Sequence, residues 1–171
     1  MITLNRKILT ITLLLIVNHS IAQEIWRESF SIPEKGVWGS NDATYIKSDF
    51  EGVLSWTLDY SNITVSDSDD YAKTVATSGG RFECRDINGE VIWHSEDIDI
   101  SNYKTVEIQL ISQETGSGAN EANKYLKTFY KLDDGPETLL ETNGENYGNW
   151  GRDTVYQSGL NGNKLQIMVR M

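Results

Sequence analysis

Hydrophobic and polar residues alternate along most of this chain with the period of two that is typical of β-strands with one buried face. The clearest example spans residues 81–103, where two alternating stretches flank an Asn-Gly pair at 88–89. An Asn-Gly pair between alternating stretches is typical of a tight hairpin turn. The pattern therefore predicts a hairpin with four residues at the centre of the core: Phe82, Cys84, Val91 and Trp93.

The same alternation recurs along the rest of the chain, whereas no stretch has convincing helical periodicity. The further predicted strands are 24–31, 53–60, 71–75, 105–112, 125–132, 137–141, 154–157 and 164–170. Many short strands separated by Asn-Gly and Asp-Gly turns favour an antiparallel β-sandwich, with a closed barrel as the alternative. A parallel α/β fold is excluded because it needs crossover helices. We predict one all-β domain over residues 23–171.

The first 22 residues have the pattern of a secretory signal peptide. Arg6 and Lys7 precede a ten-residue apolar run, 8–17, and Ser20-Ile21-Ala22 offers a small-x-small cleavage site. The alternative is a membrane anchor, but the run is about half the roughly 20 residues that span a bilayer. We therefore expect a secreted protein, cleaved after Ala22, that passes through the periplasm and does not insert into the membrane.

Charge and the scarce reactive residues exclude several functions. The whole chain has 15 basic and 25 acidic residues, and loss of Arg6 and Lys7 leaves 13 against 25, a net charge of −12. Such an acidic chain disfavours nucleic acid as a partner, because that affinity depends on neutralising phosphates. Cys84 is the only cysteine, which excludes an internal disulfide, and His94 is the only histidine after Ala22. Zinc sites with several His or Cys ligands are thereby excluded.

Two acidic groups are candidates for chemistry. Asp67, Asp69 and Asp70 lie in an Asp/Ser loop whose oxygens suit calcium, although the glycine and glutamate of an EF-hand loop are missing. Structural calcium is therefore the one cofactor that the sequence leaves open. Asp97 and Asp99 lie on one face of a strand, as paired glycosidase carboxylates do. They lack the flanking glutamates of the laminarinase-like signature, so we interpret them as solvated strand and turn residues.

Aromatic residues in loops are the best candidates for ligand binding. Trp56 and Trp93 lie among apolar neighbours within predicted strands and are assigned to the core. Trp38, Tyr147 and Trp150 lie in stretches rich in Gly and Asn, and loops on a rigid scaffold are where binding residues concentrate. Exposed aromatic rings at such positions can stack on the apolar face of a sugar.

The chain also resembles a secreted β-sandwich module of bacterial surface proteins exported by type IX secretion. The matching stretches are 81–103, 125–144 and 158–170, and 24–31 fits more loosely. The resemblance implies a concanavalin-like or carbohydrate-binding-like jelly roll. In relatives a closing strand follows the one that matches 165–170, whereas this chain stops at Met171 just after a strand pattern. We therefore expect a truncated sequence whose closing strand is missing and whose last strand is an exposed edge.

Together these observations predict a secreted, non-catalytic binding or adhesion module that recognises glycan or a cell-surface polymer through Trp38, Tyr147 and Trp150. Two alternatives remain open. One is an extracellular polysaccharide hydrolase that uses Asp97 and Asp99, and the other is a structural spacer within a larger surface protein.

Overall fold

The alternating pattern folds into short antiparallel strands in a computed structural model that describes residues 22–32, 34–39, 45–47, 56–115 and 123–171. The predicted leader up to residue 21 lies outside these ranges. One 3-10 turn, Thr77–Gly79, accompanies the strands. In chain order the strands are β1 (Gly36–Gly39), β2 (Tyr45–Lys47), β3 (Trp56–Asp59), β4 (Tyr71–Val75), β5 (Arg81–Arg85), β6 (Ile92–Ser95), β7 (Ile98–Asp99), β8 (Val106–Gln113), β9 (Leu126–Leu132), β10 (Thr138–Leu139), β11 (Glu145–Asn146), β12 (Arg152–Leu160) and β13 (Lys164–Arg170).

The strands form three sheets, and every pairing between the described strands is antiparallel. A four-stranded sheet has the order β2-β1-β4-β5. A seven-stranded sheet has the order β10-β9-β13-β6-β3, with β11 added to β9 and β7 added to β13. A two-stranded sheet consists of β12 and β8. The all-β, antiparallel prediction is therefore confirmed, while the jelly-roll connectivity stays a prediction.

All three sheets contribute to one hydrophobic core, as the period-two pattern requires. The four-stranded sheet supplies Val37 and Ala72, the two-stranded sheet supplies Ile108 and Val155, and the seven-stranded sheet supplies residues such as Trp93. The assignment of Trp56 and Trp93 to the core is confirmed, since they are 5% and 3% exposed. The inward face predicted for the last strand is also confirmed: Leu165, Ile167 and Val169 are buried.

The predicted hairpin across residues 88–89 is wrong. β5 pairs with β4 in the four-stranded sheet, whereas β6 pairs with β3 and β13 in the seven-stranded sheet. The turn carries the chain from one sheet to another. Gly89 has a φ of 108° there, and a Cβ would lie 1.9 Å from the Asn62 oxygen, so the position requires glycine. An Asn-Gly pair reverses the chain locally, but the burial of each strand decides its partner. Phe82 and Cys84 are consequently partly buried, not central.

The entry strand predicted over 24–31 is also wrong, because no strand is present in residues 22–31. Phe30 has a φ of 53°, a left-handed conformation that interrupts an extended strand. Its ring packs instead against three aromatic rings, with centroids 5.4 Å from Trp93, 5.9 Å from Phe82 and 6.3 Å from Trp56. Packing of this one ring outweighs the local alternation.

The last strand, β13, is not the exposed edge that its position in the chain suggested. It lies between β9 on one side and β6 and β7 on the other. The hairpin predicted from β9 through the turn at 133–136 is confirmed, since β10 pairs with β9. β13 is therefore an interior strand. Met168, on its outward face opposite His94 and Phe129 of the neighbouring strands, is also buried.

Candidate functional site

The best-formed surface site surrounds Trp38, on the outward face of the four-stranded sheet. Val37 and Ala72 are opposite each other across β1 and β4, point inward and are fully buried. The next pair in that register, Trp38 and Tyr71, must point outward because side chains alternate along a strand. The Lys73 Nζ lies 5.1 Å from the centroid of each ring. Two aromatic rings and one cation therefore share one outward sheet face, on which each is partly exposed.

Charged groups surround these rings. The Tyr71 hydroxyl donates a 2.5 Å hydrogen bond to Glu83, and burial together with this bond raises the pKa of Tyr71. Arg81 pairs with the other Glu83 oxygen at 2.5 Å. We name Trp38, Tyr71, Lys73 and Glu83 the aromatic platform. Their arrangement combines apolar ring faces with hydrogen-bond donors and acceptors. It is therefore complementary to a polar ligand that has one apolar face.

A pocket of about 280 Å³ lies beside the aromatic platform. It is lined by Glu34, Lys73 and residues 74–77, and the Lys73 Nζ lies 3.8 Å from a Glu34 oxygen across it. Ligand sites for drug-sized molecules usually start near 300 Å³. The pocket is therefore sized for a single small ring or a short polar group, not for a large cofactor.

The other two aromatic residues predicted for binding lie elsewhere. Tyr147 and Trp150 belong to the loop between β11 and β12, and Tyr147 is 56% exposed. Trp150 is partly buried, and its indole N–H is buried without a hydrogen-bond acceptor among the described residues. The prediction that Trp38 lies in a loop is wrong, because Trp38 lies within β1 and its ring belongs to the aromatic platform. Tyr147 and Trp150 do lie in a loop and form a separate loop pair, so the three residues are not one binding set.

The three aspartates of the predicted calcium loop are engaged separately. Asp70 accepts hydrogen bonds from the Ser66 hydroxyl at 2.6 Å and amide at 2.5 Å, which lower the pKa of Asp70. Asp67 accepts the Asp69 amide at 2.8 Å, and Asp69 lies 3.6 Å from the Arg85 guanidinium. Within the described ranges no group of three or more His, Cys, Asp or Glu side chains is placed to hold a metal ion. Calcium binding here stays a prediction.

Asp97 and Asp99 are also engaged with neighbours. Asp97 lies 3.3 Å from the Lys164 Nζ, and Asp99 accepts the Ser101 amide at 2.9 Å. Bonds from the Ser101 hydroxyl and amide lower the pKa of Asp99. A general acid for glycoside hydrolysis needs the opposite, a raised pKa that keeps it protonated. This geometry agrees with the interpretation of both residues as strand and turn carboxylates.

Sequence reasoning missed Tyr71 and Lys73 as part of the site. Their signal was present in 71–75, where Tyr71 and Lys73 alternate with the inward Ala72 and Thr74. Alternation alone placed these residues on one face of a strand. Only the β1–β4 register brings that face next to Trp38.

A second candidate site is a large groove beside β5 and β8, which we name the edge groove; residues 22–30 also line it. Its volume is about 2,490 Å³, and the core residues Trp93, Ile167 and Val169 lie at its base. Trp150 also lines it, whereas Trp38 and Tyr147 do not. Like that of Trp150, the Trp93 indole N–H has no acceptor within the described part of the chain.

Comparison with protein-family models, with curated proteins and with solved structures found no match to this chain. In the described part of the chain, no helix has the length and apolar character needed to cross a membrane. The functional proposal therefore depends on the geometry of the aromatic platform.

Proposed function

We propose that this protein is an extracellular, non-catalytic binding module that recognises a glycan through the aromatic platform. The observation that carries the proposal is the outward pair Trp38 and Tyr71, which lie directly opposite each other on neighbouring strands. Directly opposite residues have Cβ atoms about 5 Å apart. Two rings side by side at that spacing can both contact the apolar C–H face of one sugar ring. They can also contact one such face on each of two consecutive sugar rings.

Polar groups around the rings support a sugar as the ligand. Sugar hydroxyls need both donors and acceptors, and the platform offers the Lys73 ammonium and the Glu83 carboxylate. The neighbouring Glu34 adds a second carboxylate beside the small pocket. In such sites the aromatic rings supply affinity, and the few placed polar groups supply orientation.

Tyr147 and Trp150 were part of the original binding prediction and remain a second contact region in this proposal. Tyr147 is the more exposed of the two. We expect the loop pair to contribute less than the aromatic platform, because the platform holds two outward rings directly opposite each other with Lys73 and Glu83 beside them.

The test measures retention on a panel of soluble polysaccharides by affinity electrophoresis. Trp38→Ala should abolish most of the retention, since a dominant aromatic anchor typically contributes at least about 2 kcal/mol, or about 30-fold in Kd. Tyr71→Phe keeps the ring and removes the hydroxyl bonded to Glu83, so a smaller loss is expected.

Tyr156→Ala is the matched control, because Tyr156 is an exposed aromatic residue on β12, outside the platform. Retention should persist in this variant, and circular dichroism should show all variants folded. The proposal fails if no polysaccharide retains the wild-type protein. It also fails if Trp38→Ala binds as tightly as Tyr156→Ala.

A further inference from the structure

We propose, on the basis of the glycan function proposed above, that the aromatic platform selects an uncharged glycan and discriminates against polymers that carry carboxylates. Three features support this selectivity: the ion pairs on the outward face of the four-stranded sheet, the fixed position of the Glu34 backbone, and the net charge of the chain. Each of them determines which charge a ligand on the two aromatic rings would meet.

Every cation at the outward positions of β1, β4 and β5 lies close to a carboxylate. These outward cations are Lys73, Arg81 and Arg85. The Lys73 ammonium lies 3.8 Å from Glu34, and Arg81 pairs with Glu83 at 2.5 Å. The Arg85 guanidinium lies 3.6 Å from Asp69 and 3.4 Å from Asp86. A carboxylate on a ligand would therefore meet cations whose charge is already offset.

Lys73 is the cation closest to a ligand that lies on the rings. Its Nζ is 5.1 Å from the ring centroids of both Trp38 and Tyr71. The Lys73 side chain is only 20% exposed, whereas that of Glu34 is 70% exposed. The more accessible charge at this end of the aromatic platform is therefore negative. Because like charges repel, a ligand carboxylate is disfavoured there.

The backbone around Glu34 is held in place by Thr74, a buried residue that is 1% exposed. The Glu34 amide donates to the Thr74 carbonyl at 3.1 Å, and the Thr74 amide donates to the Lys35 carbonyl at 2.9 Å. The Lys35 amide also donates to the Thr74 hydroxyl at 2.9 Å. These three hydrogen bonds fix the segment against β4, so the negative charge beside Lys73 belongs to a preformed site.

The net charge of the chain acts in the same direction. The chain has 15 basic and 25 acidic residues, a net charge of −10, so an acidic polymer is repelled by the protein as a whole. This repulsion extends over about 30 Å at 0.01 M salt but only about 3 Å at 1 M salt. The discrimination should therefore weaken as salt rises, while the affinity for an uncharged glycan should change little.

The probes are soluble β-glucan, mannan and galactan, each compared with a portion of the same polymer whose primary hydroxyl groups have been oxidised to carboxylates. The methyl ester of the oxidised polymer is the chemical control, because it keeps the oxidised carbon and removes the charge. Isothermal titration calorimetry gives the Kd for each form at about 0.01 M and about 1 M salt. At the lower salt the oxidised form should bind at least about tenfold more weakly, a difference of about 1.4 kcal/mol. The methyl ester should recover most of the lost affinity.

Glu34→Gln tests the source of the discrimination. It removes the accessible negative charge beside Lys73 and keeps a side chain of nearly the same size. The ratio of the Kd for the oxidised polymer to the Kd for the unmodified polymer should therefore fall about threefold, as expected for one exposed charge. Glu107→Gln is the matched control, because Glu107 is an exposed residue of β8, outside the aromatic platform. It changes the net charge equally and should leave the ratio unchanged.

Three results would overturn the selectivity and leave the glycan proposal standing. The first is an oxidised polymer that binds the wild-type protein as tightly as the unmodified one, or more tightly. The second is a methyl ester that binds as weakly as the free acid, and the third is a Kd ratio that Glu34→Gln and Glu107→Gln change equally. If none of the polymers binds in any form, the glycan proposal fails and the selectivity fails with it.

Discussion

We predict that Ser95 stabilises β13 at the position where its neighbouring strand changes from β6 to β7. β13 pairs with β6 from Met168 to Arg170 and with β7 at Lys164 and Leu165, so Ile167 falls at the break. The Ser95 hydroxyl accepts the Ile167 amide at 2.9 Å and donates to the Glu96 carbonyl at 2.8 Å. Ser95 is 2% exposed. Ser95→Ala removes a protein acceptor from a buried amide.

The expected loss of unfolding free energy follows from the unpaired Ile167 amide. A buried donor left without its partner costs about 1–3 kcal/mol of unfolding free energy. For a protein of this size each 1 kcal/mol lowers the Tm by about 2–4 °C, so a 2 kcal/mol loss corresponds to about 4–8 °C. Urea unfolding followed by tryptophan fluorescence should show a lower midpoint with an unchanged m-value. In Ser95→Ala, hydrogen exchange at the Ile167 amide should accelerate, relative to the wild type, more than exchange at the other β13 amides.

Ser158→Ala is the matched control, because Ser158 is an exposed serine within β12. It should change the unfolding free energy by less than about 0.5 kcal/mol. If Ser95→Ala is as stable as Ser158→Ala, or if hydrogen exchange at Ile167 is unchanged, the Ser95 hydroxyl does not stabilise β13 and the prediction is refuted.

Two further predictions concern the turns. Gly89→Ala should destabilise the protein by about 1–3 kcal/mol more than Gly151→Ala in urea unfolding, because its Cβ would overlap the Asn62 oxygen, while a Cβ at Gly151 has no described atom within 4 Å; equal losses would contradict this clash. Asp133 accepts two backbone amides of the β12–β13 turn at 2.9 and 3.0 Å, and these bonds lower the pKa of Asp133. Its stabilisation is therefore full above the pKa of the unfolded state and is lost as the pH falls through the lower, folded pKa. Thermal unfolding between pH 7 and pH 3 should show a smaller pH dependence for Asp133→Asn than for the control Asp134→Asn, and identical profiles would refute the assignment.

The sequence by itself determined the class of fold and much of the core. Period-two alternation identified β4, β8, β9 and β13, and it assigned Trp56 and Trp93 to the interior, because burial of one strand face is a local property of the residue pattern. The turn at 133–136 likewise predicted the β9–β10 hairpin. The glycan, calcium and secretion predictions stay predictions.

Only the tertiary structure decided which strands pair and which surface residues meet. The Asn-Gly turn predicted a hairpin, yet β5 and β6 belong to different sheets. Trp38 was recognised as a candidate, but Tyr71 joined it only through the β1–β4 register. Alternation states which face of a strand is buried and not which strand lies beside it. Pairing and register are set by long-range burial of the whole core, so both candidate sites depend on contacts that no local pattern contains.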